Sequence, residues 1–263
     1  GYAGLKDRHA VTSQWFSVNL QGLPEPDWLA FENEQIKILK AVRHSKKLKR
    51  GALAGNRFRL RLTNITGEKA VWEQNLQKIA DQGVPNYFGE QRFGIDGGNI
   101  DKALSLFSGT KVKDKKKRGM YLSTARSLIF NDIINERIKH HTFMKFQKGD
   151  VAMLSGTQSV FLVEDANDLI NQRLIEKDID ITASLWGAGE LMTQGEVQDI
   201  EFGLKEEYPD LCAGLAKFGL KQERRRMRLS IEQSNLEVVP EGIKISFVLP
   251  AGAYATTVLR EIL

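Results

Sequence analysis

The sequence predicts an α+β fold in which strands lie near both ends of the chain and a mostly helical segment is inserted between them. Residues 57–62 alternate arginines with apolar side chains, and residues 243–249 again place an apolar residue at every second position. A period of two is that of a strand with one buried face. The middle of the chain instead has apolar residues at helical spacing, from Leu128 to Ile138. This order indicates an α+β domain interrupted by a helical insertion.

The first third of the chain predicts two strands, one uncertain segment and one helix. Residues 12–20 place aromatic and apolar side chains among small polar ones, which is typical of a strand. Residues 28–42 have a mixed pattern that fits either a helix or a pair of strands. After the alternating strand at residues 57–62, a helix is predicted over residues 68–82. Its inner side is predicted to hold three apolar residues: Val71, Leu76 and Ile79.

The rest of the chain predicts helices with one strand-like interruption. The glycines and proline of GVPNYFGEQRFG predict a connection. A helix then begins with Ser123 as its N-cap, and a strand-like group follows at residues 150–165. The last strand is GIKISFVLP, and a helix begins after Pro250. Three further helical stretches are predicted: residues 165–178, 193–203 and 210–228.

Composition limits the compartment and the partners of this protein. The chain has 263 residues and a net charge of +5, an excess that favours a polyanionic partner such as nucleic acid. Its single cysteine, Cys212, stands in an apolar setting and is predicted to be a core thiol, so nothing indicates an oxidising compartment. No apolar run approaches the ~18 residues of a membrane span, which predicts a cytoplasmic protein. Because the chain opens on Gly1 just before a motif, we expect that a preceding segment is missing.

Metal and nucleotide sites are not indicated by the sequence. It contains no P-loop, no G-x-G-x-x-G after a strand, no H-E-x-x-H and no G-x-S-x-G. The histidines lack partners at the spacing of metal ligands, which disfavours a metal site. The four histidines are His9, His44, His140 and His141.

One short segment near the start could perform chemistry. Asp7 stands between Lys6 and Arg8 in the run Lys6-Asp7-Arg8-His9. One interpretation is a hydrated, charged turn. The other is a carboxylate that its cationic neighbours keep ionised, because nearby opposite charge favours the charged form, and an ionised carboxylate can act as a nucleophile.

Several basic segments could contact nucleic acid, and each has a simpler structural interpretation. KVKDKKKRG at residues 111–119 is either a solvated loop or a source of phosphate contacts. Arginines 57, 59 and 61 are either a soluble strand face or a second phosphate surface, and KQERRRMRL at residues 221–229 is typical of a helix exterior. The aromatic residues of NYFGEQRFG either pack a domain hinge or stack on bases. In GNRF, Asn56 could hydrogen-bond a carboxylate, and Phe58 is either core or the support of a flat base.

Four blocks together resemble one family. AGLKDRHAVTSQWFS, RGALAGNRF, VPNYFGEQRFG and FVLPAGAYATTVLRE are similar, in order and wording, to the TruD family of tRNA pseudouridine synthases. The resemblance implies a catalytic domain built on an antiparallel sheet with helices, interrupted by a mostly helical, family-specific domain. It places the catalytic domain at residues 1–81 and 231–263 and the inserted domain at residues 82–230.

The resemblance also implies roles for individual residues. Asp7 corresponds to the catalytic aspartate, and Asn56 to a residue that contacts and orients it. Phe58 corresponds to the aromatic residue that stacks on the target uracil. Lys6, Arg8 and Arg260 would supply positive charge around the site. For Arg260, a structural role is favoured over a catalytic one. Family members carry a strand-rich segment ahead of the aspartate motif that this sequence does not show, and that segment could supply a basic partner of the aspartate.

The implied reaction converts a uridine of tRNA, at position 13 in the D-arm, into pseudouridine. Because nothing is added or lost, no cofactor and no metal is expected, and neither is a membrane partner. The oligomeric state is left open, and a monomer is compatible with the sequence. Two other function classes remain at this point: a non-catalytic RNA-binding protein, which basic patches and aromatics would also explain, and a metal-dependent RNA-processing enzyme, which the missing ligand cluster disfavours.

Overall fold

The computed structural model describes residues 1–7 and 9–263 of the chain. The chain forms two compact units, Gly1–Asn56 and Arg57–Leu263. Among the helices of the described residues, none combines the length and the apolar character needed to cross a membrane.

The unit Gly1–Asn56 is mostly irregular. In its described residues there is one 3-10 helix, Trp28–Phe31, which Asp27 caps by accepting a hydrogen bond from the backbone N–H of Leu29. Tyr2 and Phe16 form an isolated antiparallel bridge. The longer helix or strand pair predicted at residues 28–42 is therefore wrong.

The strand predicted at residues 12–20 is also wrong, since only the bridge at Phe16 forms there. Trp15, Phe16 and Val18 are each more than half exposed. A strand is stable only when neighbouring strands bond its backbone and cover its apolar face. The sequence pattern identifies the apolar residues, but it does not show whether neighbouring strands cover them.

The unit Arg57–Leu263 contains most of the regular structure. Its nine strands, the first of which begins two residues before the unit, are β1 (Gly55–Thr63), β2 (Val84–Pro85), β3 (Val151–Leu154), β4 (Val160–Leu162), β5 (Ile179–Leu185), β6 (Glu223–Arg226), β7 (Arg228–Leu229), β8 (Glu232–Val239) and β9 (Gly242–Pro250). Its seven α-helices are α1 (Lys69–Gln82), α2 (Gly98–Phe107), α3 (Lys115–Lys139), α4 (Asp168–Ile175), α5 (Gly195–Glu207), α6 (Pro209–Lys217) and α7 (Ala255–Ile262).

A three-stranded sheet in the order β1-β9-β8 forms one hydrophobic core with α1 and α7, which we call the β9 core. β8 and β9 pair antiparallel, with Leu236 opposite Ile245. The alternation predicted for β9 is confirmed, because every second residue is buried: Ile243, Ile245, Phe247 and Leu249. The alternation of β1 is confirmed too, since its arginines are exposed and its apolar residues pack against this core.

A four-stranded sheet in the order β4-β3-β5-β6 forms a second core with α2, α3, α5 and α6, which we call the α3 core. Its three strand pairs are antiparallel. Helix α3 supplies a buried stripe that contains Ile129, Ile133 and Ile134, as the spacing predicts, together with Phe130. At the two ends of the predicted stripe, Leu128 is half-buried and Ile138 is 40% exposed. A helix with such a stripe must cover it, and the sheet and the neighbouring helices do so.

Helix α3 begins well before the predicted N-cap at Ser123. Asp114 is the N-cap, and its carboxylate accepts hydrogen bonds from the backbone N–H groups of Lys116 at 2.8 Å and Lys117 at 3.2 Å. These bonds satisfy donors that have no partner inside the helix. The basic run at residues 111–119 is therefore only partly a loop, because residues 115–119 form the start of a long helix and residues 111–114 precede it.

The helix predicted at residues 210–228 is correct only in its first half, because α6 ends at Lys217 and the arginine-rich segment is strand β6. β6 pairs with β5, and its Arg224 is buried. The interpretation of this segment as a helix exterior is wrong. On α1, Leu76 and Ile79 are buried as predicted, but Val71 is 49% exposed and Trp72 is buried instead.

The α+β class is confirmed, and the arrangement of the two cores resembles the predicted interruption. The buried residues of the β9 core lie at positions 72–84 and 229–262, and those of the α3 core lie between them at positions 103–227. The domain boundaries at residues 82 and 230 stay a prediction.

Candidate active site

The segment around Asp7 lies in the unit Gly1–Asn56. Lys6 is half-buried, and its Nζ donates a hydrogen bond to Oδ1 of Asn56. This contact joins two sequence blocks that are 50 positions apart. Asp7 follows Lys6 directly and is exposed. Arg8, which the sequence predicts as a cationic neighbour, lies outside the described residues.

Asn56 thus contacts the neighbour of Asp7. The resemblance implies that Asn56 orients the aspartate itself, and that contact stays a prediction. What the structure adds is a partner for Lys6, because the side-chain amide oxygen of Asn56, near the start of β1, accepts a hydrogen bond from its ammonium group.

Backbone hydrogen bonds tie the start of the chain to a basic stretch that sequence reasoning missed. The N–H of Ser17 donates to the carbonyl of Gly1 at 2.8 Å, and the N–H of Gly51 donates to the carbonyl of Ala3 at 2.7 Å. Arg50 donates to the hydroxyl of Tyr2 at 2.6 Å and lies over its ring, 5.2 Å from the ring centre. The run SKKLKR, which contains Arg50, would have been enough to predict a basic surface here.

Phe58 is a half-buried residue on the inner face of β1. Its ring lies 5.9 Å from that of Phe247, centre to centre, at an angle of 39°. Phe247 is fully buried in the β9 core. The position of Phe58 is therefore compatible with both predicted roles, core packing and support of a flat base. One side of its ring packs on the core, and part of the side chain remains accessible.

Arg260 is exposed on α7. Its guanidinium carbon lies 5.2 Å from the ring centre of Tyr87, and its Nε is 3.9 Å from a carboxylate oxygen of Glu261. Burial is the main cause that raises the pKa of Tyr87, with Arg260 acting in the opposite direction. The contacts of Arg260 in the structure are thus with Tyr87 and Glu261, and its role at the site stays a prediction.

The aromatic residues of NYFGEQRFG pack inward. Phe88 contacts Phe130 edge-on at 5.5 Å and Tyr254 at 6.1 Å, which supports the hinge-packing interpretation of this motif. Arg225 stacks on Phe88 with its guanidinium carbon 4.3 Å from the ring centre. Burial lowers the pKa of Arg225 to about 10, with Arg92 adding to the effect. Phe88 and Arg225 are thus part of a packed cluster, whereas Tyr87 and Phe93 are half-buried.

Metal ligation is not indicated in the described part of the chain, since no three His, Cys, Asp or Glu side chains are grouped so that they could hold an ion. Cys212 is buried in the α3 core, and burial raises the pKa of its thiol to about 12. A thiol with such a pKa is protonated near neutral pH and is a poor nucleophile or ligand. The prediction that Cys212 is a core residue is confirmed.

Comparison with known proteins identifies the family. A family model described as tRNA pseudouridine synthase D (TruD) matches residues 1–103 and 105–262. The chain belongs to the TruD family. The resemblance of the four sequence blocks is thereby confirmed, and the chain falls in the class of pseudouridine synthases, which are isomerases.

Relatives of this TruD chain are similar over its whole length. The tRNA pseudouridine synthase D of Colwellia psychrerythraea is 55% identical, and the alignment covers 100% of this chain and 74% of the relative. That of Aeromonas salmonicida is 46% identical with the same coverages. That of Shewanella oneidensis is 42% identical over 99% of this chain and 70% of the relative.

A solved structure shows that the TruD fold is shared. The crystal structure of a TruD protein from Methanosarcina mazei superposes with a TM-score of 0.63 and 20% identity, covering 84% of this chain and 71% of that one. At this identity the likeness concerns the fold alone. The α+β fold described above is therefore shared with that TruD protein.

Proposed function

We propose that this chain is a tRNA pseudouridine synthase that isomerises a uridine in tRNA, with Asp7 as the catalytic nucleophile or base. The observation that carries the proposal is the match of the TruD family over nearly the whole chain, including the block that contains Asp7. Relatives that bear the name tRNA pseudouridine synthase D, at 42–55% identity, support tRNA as the substrate.

The reaction breaks the bond between C1′ of the ribose and N1 of uracil and forms a bond between C1′ and C5. In one route, a carboxylate oxygen of Asp7 attacks C1′ and the bonding electrons go to the uracil ring. The ring turns, C5 attacks C1′, and the carboxylate leaves, as the nucleophile of a retaining glycosidase does. The proton on C5 is lost and N1 gains a proton. In the other route, Asp7 removes the proton from C2′ as the bond between C1′ and N1 breaks, which gives a glycal and a uracil anion. The ring turns, C5 bonds to C1′ as C2′ regains the proton, and C5 then loses its proton while N1 gains one.

The target base must leave its stack before it can react. This costs a few kcal/mol, which contacts in the protein have to offset. Phe58 offers a partly accessible ring that is held from behind by Phe247. Stacking on such a ring stabilises an extruded base whatever its sequence context. We assign Phe58 to this role.

Positive charge around Asp7 stabilises the ionised carboxylate most strongly when RNA covers the site and excludes water. Loss of water disfavours an isolated carboxylate, and a nearby cation or hydrogen-bond donor offsets that cost. Lys6 is adjacent in sequence and already fixed by Asn56. We assign Lys6 and Arg8 to this compensation and Asn56 to positioning Lys6. The D-arm uridine at position 13 as the target and the cytoplasm as the location stay predictions.

The decisive experiment maps pseudouridine at nucleotide resolution on unmodified tRNA incubated with the parent protein or with Asp7→Asn. We expect product at one uridine with the parent and none with Asp7→Asn, while tRNA affinity stays within about twofold. Glu34→Gln, which removes another exposed carboxylate from the same unit, is the matched control and should form product normally. Equal product from Asp7→Asn would overturn the assignment. A parent that binds tRNA without forming product would favour the RNA-binding alternative.

Two further variants test the supporting roles. Phe58→Tyr keeps a flat ring and should retain most activity, whereas Phe58→Ala should slow turnover strongly, and equal rates would argue for packing alone. Asn56→Leu removes the acceptor of Lys6, while Asn56→Asp retains an oxygen there. A positioning role predicts that Asn56→Leu lowers kcat with little change in KM and that Asn56→Asp restores part of it. Activity in the presence of a chelator would exclude the metal-dependent alternative.

A further inference from the structure

One groove in the structure lies on the α3 core and shares no lining residue with the strand that holds Phe58. It has a volume of about 460 Å³. Its walls are the end of α2, the connection from α2 to α3, the first turns of α3 and the end of α6. The lining residues used below are Phe107, Lys111, Lys113, Arg118, Lys217 and Phe218.

Close helix packing forms the floor of the groove. Gly214 of α6 faces the ring of Phe107 so closely that a Cβ at this position would lie 2.1 Å from a ring atom. The absence of a side chain therefore lets α2 and α6 approach each other. Phe107 and Phe218 meet as a result, with ring centres 5.7 Å apart and a tilt of 55°. Phe218 is 36% exposed, so an aromatic surface faces the opening.

Four cations surround this floor, and no carboxylate lines it. Lys111, Lys113, Arg118 and Lys217 take part in no ion pair with any residue that the structure describes. The one acid within this basic stretch is Asp114. Its carboxylate is turned to the N-terminus of α3, and backbone hydrogen bonds from Lys117 and Lys116 lower its pKa. Among the described residues, no acidic side chain pairs with the positive charge of the groove, which favours an anionic partner.

We infer that this groove is a second docking site for the tRNA substrate, one that binds an unpaired, phosphate-rich segment outside the reacting uridine. Cations that track a backbone, next to aromatic rings that bases can stack on, are the pattern of single-stranded nucleic-acid sites. RNA recognition uses unpaired segments for the same reason, since only there are bases free to stack on side chains. The inference rests on the proposed function, because tRNA is the polyanion that the family's enzymes act on.

The groove uses different residues from the proposed catalytic site. Its lining belongs to the α3 core, whereas Phe58 packs on the β9 core. Removal of its charges should therefore weaken binding without changing the chemical step at saturating substrate. This separates the two assignments experimentally.

The test measures binding of full-length unmodified tRNA to the parent protein and to Lys111→Gln/Lys113→Gln/Lys217→Gln over a series of salt concentrations. Each phosphate contact in a single strand contributes about 0.7 to the slope of log K against log salt, so three lost contacts should reduce its magnitude by about 2. We expect at least tenfold weaker binding at low salt and an unchanged kcat at saturating tRNA. Lys148→Gln, an exposed lysine elsewhere on the same unit, is the control and should alter neither quantity measurably.

The aromatic floor is tested by Phe218→Leu and Phe218→Tyr, which keep the side-chain volume better than alanine does. Stacking predicts weaker tRNA binding for Phe218→Leu only. Parent-like affinity and salt slope in the triple variant, or an equal loss in Lys148→Gln, would overturn the inference. If the triple variant loses affinity but the parent forms no pseudouridine, the groove stands and the catalytic proposal fails. If the parent forms product normally and the tRNA affinity of the triple variant is unchanged, the catalytic proposal stands and the groove proposal fails.

Discussion

The buried ion pair between Arg137 and Asp150 gives the sharpest prediction about the stability of the α3 core. The pair is bidentate, with N–O distances of 2.6 and 2.9 Å, and its side chains are 1% and 0% exposed. Asp150 also accepts a hydrogen bond from the backbone N–H of Gln147 at 2.7 Å. Asp150→Asn leaves Arg137 charged and buried, and it turns an amide donor toward a guanidinium donor.

Breaking one partner of such a pair costs about 3–5 kcal/mol, because the remaining charge stays desolvated. The carbonyl of Thr142 still accepts from Arg137 at 2.9 Å, so we expect the lower end, about 3 kcal/mol. At about 2–4 °C per kcal/mol for a unit of this size, the midpoint of thermal unfolding should fall by about 6–12 °C. Urea unfolding followed by circular dichroism measures the free energy, and amide hydrogen exchange should show the loss in α3 and β3 first.

Two comparisons make this prediction refutable. Glu136→Gln, which removes an exposed ion pair with Lys139 on the same helix, should change stability by less than about 0.5 kcal/mol. Arg137→Met/Asp150→Leu removes both charges and should lose less than Asp150→Asn alone. A single variant within about 1 kcal/mol of the parent, or a double variant that loses as much as the single one, would show that desolvation of the unpaired arginine is not the main cost.

Three further changes have expected outcomes. Because burial raises the pKa of Cys212 to about 12, its thiol stays protonated in the folded protein until the pH approaches that value, so alkylation at pH 8, followed by mass spectrometry, should proceed only as fast as the protein unfolds. Gly242→Ala should lower the free energy of unfolding by at least about 2 kcal/mol, measured by thermal melting, because φ is +146° and the new Cβ would lie 1.9 Å from the carbonyl oxygen of Leu62. Gly98→Ala is the control, and it should be neutral or slightly stabilising because the space around this glycine is open. Asp114→Ala removes the N-cap of α3 and should cost about 1 kcal/mol; an unchanged melting temperature would mean that the cap contributes nothing.

Periodicity predicted the elements that bury one clear face. β9, β1 and the central part of α3 follow this rule, because their apolar positions point to a single core and the repeat is visible over several residues. β8 was not predicted because it is a polar edge strand, EQSNLEVV, that leaves most of its side chains in solvent. Edge strands of this kind lack the apolar alternation on which sequence reasoning depends.

The candidate site was less accessible to pattern reasoning. Local pattern gave two interpretations each for Asp7 and Phe58, because a short charged run or a single ring on a strand is equally typical of ordinary structure, and only the motif resemblance favoured the functional ones. The bond between Lys6 and Asn56 spans 50 positions, and no local periodicity indicates such a pair. The groove at Phe218 was missed for a related reason: the segment at 111–119 looks like a loop until Asp114 is recognised as a helix cap.

Two basic segments of the chain differ in residue type and in burial, and this difference indicates where RNA contacts should be sought. In the arginine-rich segment, Arg224 forms a buried ion pair with Glu201 at 2.8 Å, and Arg228 forms one with Asp180 at 2.9 Å. A planar guanidinium suits such enclosed geometry, whereas a strongly hydrated ammonium favours solvent. The lysine-rich run at 111–117 is exposed at nearly every basic position. In these two segments the positive charge available to a phosphate backbone is thus carried by lysines. Substitution of the exposed lysines should change the salt dependence of tRNA binding, while substitution of the buried arginines changes stability.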